Sequence, residues 1–187
     1  MSEVLELLQT RRSRRALSEK KLPEDVVERL MTAASLAPSC SNNQPWRYVL
    51  AQSDAALEKV HEHLTRGNYW ASRAPLVVMV VTNPELDCKG NDDREYALFD
   101  TGMGVFSMLV QAEKEGLYAH PMAGFNAEKM KASFGIEDPY KLVTVIAVGY
   151  PADDMSMLNE KHQESEVSPR SRKPMEEVVF YDEWPGQ

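Results

Sequence analysis

Leu76-Val77-Val78-Met79-Val80-Val81, bounded by Pro75 and by Asn83-Pro84, is a continuous, mostly β-branched apolar run. A strand with one wet face alternates apolar and polar residues, so a run with no polar member reads as a strand covered on both sides. Leu142 to Val148 repeats the pattern. Between them, Tyr96 to Glu115 reads as a long helix ended by Gly116. Leu98, Phe99, Met103, Val105, Phe106, Met108, Leu109 and Val110 are spread almost all round it. Such a helix needs burial on nearly every side. In a chain of 187 residues, central packing or a second subunit meets that need, and a dimer is expected.

Outward from this centre the signals are local. Val4 to Thr10 is a short helix candidate, and Pro23, followed by Glu24 and Asp25, stands at a first helical position. Val26, Val27, Leu30, Met31 and Ala34 then share one face, and the helix should stop at Ala37, ahead of Pro38. Arg47 to Ala51 reads as a strand, and Ser53 caps a helix carrying Leu57, Val60 and Leu64. Asn126 caps another helix through Met130 and Phe134, closed by Gly135. Ala152 to Pro174 is polar, and Val178-Val179-Phe180-Tyr181 is a lone apolar run that reads as a strand added to a sheet edge, in this subunit or its partner. Residues 1–187 therefore form one expected domain whose segment from about 152 to 187 is extended, with the partner subunit as a possible support.

Composition narrows the function. The chain is 43% hydrophobic with a formal net charge of −8, and its pI is near 5.1. That balance argues against a general nucleic-acid binder, which needs an extended basic surface. No apolar run approaches the roughly 18 to 20 residues of a membrane span. The first residues, Met1-Ser2-Glu3-Val4-Leu5-Glu6, are acidic where a secretory signal would be basic, so a soluble cytoplasmic protein is expected. Cys40 and Cys88 lack the paired spacing of a zinc or redox site and are expected to be unlinked thiols, with no bound metal.

Against the acidic balance, basic residues concentrate in Arg11-Arg12-Ser13-Arg14-Arg15 and in Arg170-Ser171-Arg172-Lys173. Arginine forks bind phosphate oxygens bidentately and serine adds a donor, so a phosphate clamp competes here with a solvated basic face. His61 and His63, two apart on a helix, point in different directions and suit a solvated face better than a shared metal. His120 stands between a structural role and a place lining the substrate side. Gly102 and Gly104 lack the third glycine and the preceding strand of a dinucleotide motif. Trp46 and Trp70 read as core or interface anchors.

The two arginine runs, Pro38-Ser39-Cys40-Ser41-Asn42-Asn43-Gln44-Pro45-Trp46, Gly67-Asn68, Asp100-Thr101-Gly102 and Pro121-Met122-Ala123-Gly124-Phe125 follow one another in an order and spacing that resembles the nitroreductase family of flavin-dependent oxidoreductases. The resemblance implies an α+β fold around a central mixed sheet flanked by helices, assembled as an intertwined homodimer with FMN at the subunit interface. It places the FMN phosphate on Arg11, Ser13, Arg15, Arg170 and Arg172, with Arg12 near the flavin ring edge. Pro38, Ser39, Cys40 and Asn42 would reach the flavin from the other subunit, Asn68 would bond its pyrimidine side, and Ala123 and Gly124 would approach N5. A glycine at 124 suits close approach to a planar ligand, although a turn glycine reads the same way. Cys40 departs from the family's serine; its thiol is the weaker donor, so a contact there rests on backbone.

The implied activity is hydride transfer from NADH or NADPH to FMN and on to a small-molecule acceptor such as a nitroaromatic or quinone, by a ping-pong mechanism. The cofactor carries the chemistry, so no side chain is nominated as catalytic acid, base or nucleophile. Two alternatives keep the flavin: a dehalogenase or enone reductase, and a non-catalytic flavin-binding sensor.

Overall fold

The computed structural model describes residues 4–185. Six α-helices, α1 (Glu6–Thr10), α2 (Glu24–Ser35), α3 (Asp54–His61), α4 (Ala97–Lys114), α5 (Ala127–Phe134) and α6 (Glu160–Val167), accompany four strands. The strands are β1 (Trp46–Ala51), β2 (Leu76–Thr82), β3 (Tyr118–Met122) and β4 (Lys141–Gly149), in the order β1-β2-β4-β3.

β2 is buried along its whole length, and its two faces serve two cores. Val77, Met79 and Val81 pack with Val145, Ala147, Val60, Trp70 and Met130 on the side of α3 and α5. Leu76, Val78 and Val80 pack with Ile146, Val148, Leu30, Ala34, Met108 and Ala112 on the side of α2 and α4. The uninterrupted apolar run is thus the sum of two alternating patterns, each side chain contributing about 1.5 to 3 kcal/mol of burial. β4 keeps register with β2 until Val80 pairs with Thr144 and Val81 with Leu142, a bulge that leaves Val143 over.

Local signals set the helix ends. Ser53 Oγ accepts from the Ala56 amide, Asn126 Oδ1 from the Lys129 amide, and Gly135 closes α5 at φ 64°. Pro23 caps α2 from just outside rather than opening it, and the helix gives way at Leu36. α2 and α4 cross closely at Gly104, where a Cβ would lie 2.6 Å from the Tyr48 hydroxyl and 3.2 Å from the Ala34 carbonyl. α4 buries Ala97, Asp100, Thr101, Met108, Leu109 and Ala112, but Leu98, Phe99 and Phe106 stay exposed within the chain.

The α+β class is as expected, with three departures. All the strand pairings among the described residues are antiparallel, not mixed. The apolar run Val178–Tyr181, expected as an added edge strand, pairs with no strand among the described residues of this chain and has every residue exposed. Residues 152–185 are not extended throughout, because Asn159 Oδ1 caps α6 on the His162 amide. Finally, Cys40 and Cys88 are not unlinked thiols but form a disulfide across 48 residues. The fold brings the loop after α2 against the lead-in to α4, a proximity that spacing along the chain does not encode.

Candidate functional site

Arg11, Arg12, Ser13 and Arg15 leave the end of α1 and meet Ser165, Ser168, Arg170 and Arg172, lining a cleft of about 400 Å³. The meeting is held by hydrogen bonds across some 150 residues. Ser18 donates its amide to Tyr150 O, and Ala152 to Ala16 O, at 2.9 Å each. Arg12 Nη1 donates to Ser168 O at 2.7 Å. Arg170 Nη1 donates to Leu8 O at 2.8 Å and Nη2 to Arg11 O, so this guanidinium caps the end of α1. Arg15 is held twice by buried Glu166, whose Oε1 accepts its amide at 3.0 Å and lies 3.6 Å from Nη1.

Arg11 has no ion pair within 4.0 Å among the described residues. Burial and then the charges of Arg170 and Arg172 pull its pKa below the ordinary arginine value, only partly opposed by Glu113. An arginine does not give up its proton near neutrality. The cleft therefore gathers positive charge that an anion with several oxygens would relieve.

A second group adjoins the first. Asn68, in the 3₁₀ segment Arg66–Arg73, donates Nδ2 to Gly124 O at 2.9 Å, and the Thr65 amide donates to the same oxygen at 2.9 Å. A Cβ on Gly124 would come within 2.4 Å of Thr65 Oγ1 and 2.8 Å of Asn68 Nδ2. Ala123 precedes it in the loop after β3. Buried Trp70 links the two groups: the Arg15 guanidinium lies 5.9 Å from its ring centre and the His120 ring 4.6 Å away. His120 Nδ1 lies 3.2 Å from Arg14 O, which requires the proton on Nδ1. Burial first, then the charge of Arg15, lowers its pKa to about 4, so it is neutral at pH 7.

The third group, Pro38, Ser39, Cys40 and Asn42, is not joined to the cleft by any hydrogen bond or ion pair among the described residues. It lies at the start of α4, where the Cys40 amide donates to Asp100 Oδ2 at 2.6 Å. Asp100 is buried, and burial together with the carboxylate of Asp87 raises its pKa. Asp87 Oδ2 is buried without a hydrogen-bond partner among the described residues. Burial and the neighbouring carboxylate both favour the neutral acid at Asp100, against the Cys40 amide, which favours the charged form.

Sequence reasoning missed Glu166, Asp100, Cys88 and Ser168 as structural partners of these groups. Each acts through a contact far away in the chain. Only the Asp100-Thr101-Gly102 motif carried a trace of one of them. His63, partly exposed, bonds Ser133 Oγ at 2.7 Å, while Trp46 and Trp70 are buried as core anchors.

The architecture is one that solved structures share. An oxidoreductase containing FMN superposes with a TM-score of 0.88 at 30% identity, covering 100% of this chain and 95% of that one. A nitroreductase family protein of Clostridium difficile shares the fold at TM-score 0.80 and 22% identity, covering 98% and 100%. In sequence, a Thermus thermophilus NADH dehydrogenase is 25% identical over 201 aligned positions, spanning 91% of this chain and 92% of its own. The nitroreductase family profile matches residues 8–150, and the chain belongs to the nitroreductase family.

Proposed function

We propose that the protein is an FMN-dependent oxidoreductase that takes a hydride from NADH or NADPH and reduces a small-molecule acceptor, a nitroaromatic or a quinone, by a ping-pong mechanism. It works as a homodimer in the cytoplasm, with the exposed Leu98, Phe99 and Phe106 of α4 turned to the partner. The observation that carries this reading is the unneutralised charge at Arg11, Arg170 and Arg172 in one cleft.

The residues present fit the cofactor. A phosphate group takes donors from Arg11, Ser13, Arg15 and Arg172, while Arg170 mainly holds the Arg11 backbone in place and Arg12, anchored on Ser168 O, is left for the flavin ring edge. Asn68 spends Nδ2 on Gly124 O, which leaves Oδ1 as an acceptor for an imide N–H of the ring. The absence of a Cβ at Gly124 keeps the loop close to Thr65 and Asn68 and leaves backbone able to approach a flat ligand. His120, neutral and fixed beside Trp70, supplies polarity beneath Arg15 without adding charge. FMN, when bound, supplies the two-electron chemistry, so the chain's part is to bind, orient and exclude water. Pro38, Ser39, Cys40 and Asn42 contribute to the partner's flavin site across the dimer.

Anaerobic titration with NADH and then NADPH tests the reading. Bleaching of a flavin band, followed by recovery on adding a quinone or nitroaromatic, is expected. Yellow protein that neither donor bleaches would favour a flavin-binding sensor, and protein that FMN cannot load would overturn the cofactor assignment.

A further inference from the structure

We propose that Cys40–Cys88 is an exchangeable disulfide, a dithiol-reducible site whose bond locks the Pro38–Gln44 loop in shape. Its effect on cofactor affinity rests on the flavin reading above. Both cysteines are half-buried, within reach of a small thiol.

The loop is wound in a way its own residues do not favour. Ser41 and Gln44 have φ of 49° and 50°, left-handed values that cost such residues on the order of 1 kcal/mol each, while Asn42 between them, at 57°, tolerates that region better. Short local bonds hold it: the Asn42 amide to Ser39 O, the Asn43 amide to Cys40 O, each 3.0 Å, and the Gln44 amide to Ser39 Oγ, also 3.0 Å. Its anchors to the body are the Cys40 amide on Asp100, Asn43 Nδ2 on Asp87 Oδ1 at 3.3 Å, and the disulfide. Cys88 is fixed in turn, since Tyr96, at the start of α4, donates its amide to Cys88 O at 3.2 Å. The covalent link is thus a main restraint on strained backbone.

The sulfurs are not equivalent. Asn43 Nδ2 lies 3.6 Å from Cys88 Sγ and the Ser41 Oγ 3.8 Å from it, so two donors stand ready for negative charge on that sulfur. A dithiol's thiolate attacks Cys40 Sγ, the Cys40–Cys88 bond breaks, and its electron pair leaves on Cys88 as thiolate. The reagent's second thiolate then attacks its own sulfur in the mixed disulfide and releases Cys40. The reagent ends as a cyclic disulfide, and two electrons and two protons have passed to the cysteines. In the cytoplasm, where we place the protein, disulfides are usually transient and redox-sensing. Cys40, Cys88 and Asp87 also set one ligand atom each within 4.8 Å of one another, but with the sulfurs bonded together this cluster is no metal site in the oxidised chain.

The test uses the full chain, oxidised and dithiol-reduced, together with Cys88→Ser. Alkylation read by mass spectrometry should add nothing before reduction and two groups after it. Amide exchange across residues 39–44 should quicken on reduction. FMN affinity should fall at least about fivefold in the reduced chain and equally in Cys88→Ser. Free alkylation of both cysteines without a reductant, unchanged exchange on reduction, or equal FMN affinity of the oxidised and reduced chains would each overturn the proposal. If exchange quickens yet neither form takes FMN, the lock stands and the flavin reading fails.

Discussion

Two corners of the molecule hold groups whose charge is disfavoured, and they resolve the conflict in opposite ways. At the arginine cleft, burial and like charges lower the pKa of Arg11. At the start of α4, burial and the carboxylate of Asp87 raise that of Asp100. A carboxyl group can ease such a conflict by holding its proton more tightly, and that is the direction in which Asp100 is moved. Arginine has no such escape, because its pKa remains far above neutrality. One corner can answer its conflict with a proton and the other only with a counter-ion, a difference that a count of charges does not reveal.

The comparison breaks most readily at the cleft. Arg11→Ala combined with Arg172→Ala should weaken FMN binding by about a hundredfold or more, since each charge-assisted contact is worth roughly 1.5 to 3 kcal/mol. Flavin fluorescence titration reads the change, and full flavin retention in the double variant would remove the phosphate assignment. The same variant without ligand should be no less stable than the parent, because like charges have been relieved.

At the acidic corner, Asp100→Ala should cost about 1 to 3 kcal/mol in chemical denaturation by orphaning the Cys40 amide, while Asp100→Asn should cost less. Equal losses for the two would mean that ionised Asp100, not its neutral acid, holds the loop. Gly124→Ala should cost stability by a comparable amount, through the clash with Thr65 and Asn68, and a neutral result would show the loop free to move away.

The smallest effect is in pH. His120 has a folded pKa of about 4 against roughly 6.5 unfolded, so the unfolded chain binds the extra proton. Its contribution is present in full above about pH 6.5 and is lost as pH falls towards 4. Asp100 has the opposite sign: its folded pKa is raised, so its contribution is lost as pH rises through that value. Denaturation midpoints between pH 4 and 8 should show an acid limb that His120→Phe flattens while keeping the contact with Trp70.

Much of the fold was legible because its signals are short. β2 announced itself by an uninterrupted apolar run and β4 by one broken only at Thr144, and Ser53, Asn126 and Gly135 by the backbone groups they satisfy. α6 carried the same kind of mark in Asn159 but is so polar that its surroundings hid it. The antiparallel pairing of β3 with β4 and the Cys40–Cys88 bond depend on which surfaces meet, and periodicity does not report that. At the site, the arginine runs were visible as composition, whereas Glu166 is one acid among many until the fold sets it on Arg15.

The cleft joins residues 11–15 to residues 165–172, and this sets its timing during synthesis. While a ribosome is making the chain, both faces of β2 can begin to be covered once β4 has emerged, yet Arg11 waits for Arg170 and Arg172 until a further stretch has been translated. The arginine cleft is therefore among the last parts to be assembled. A cofactor that engages it selects chains on which most of the folding is already done.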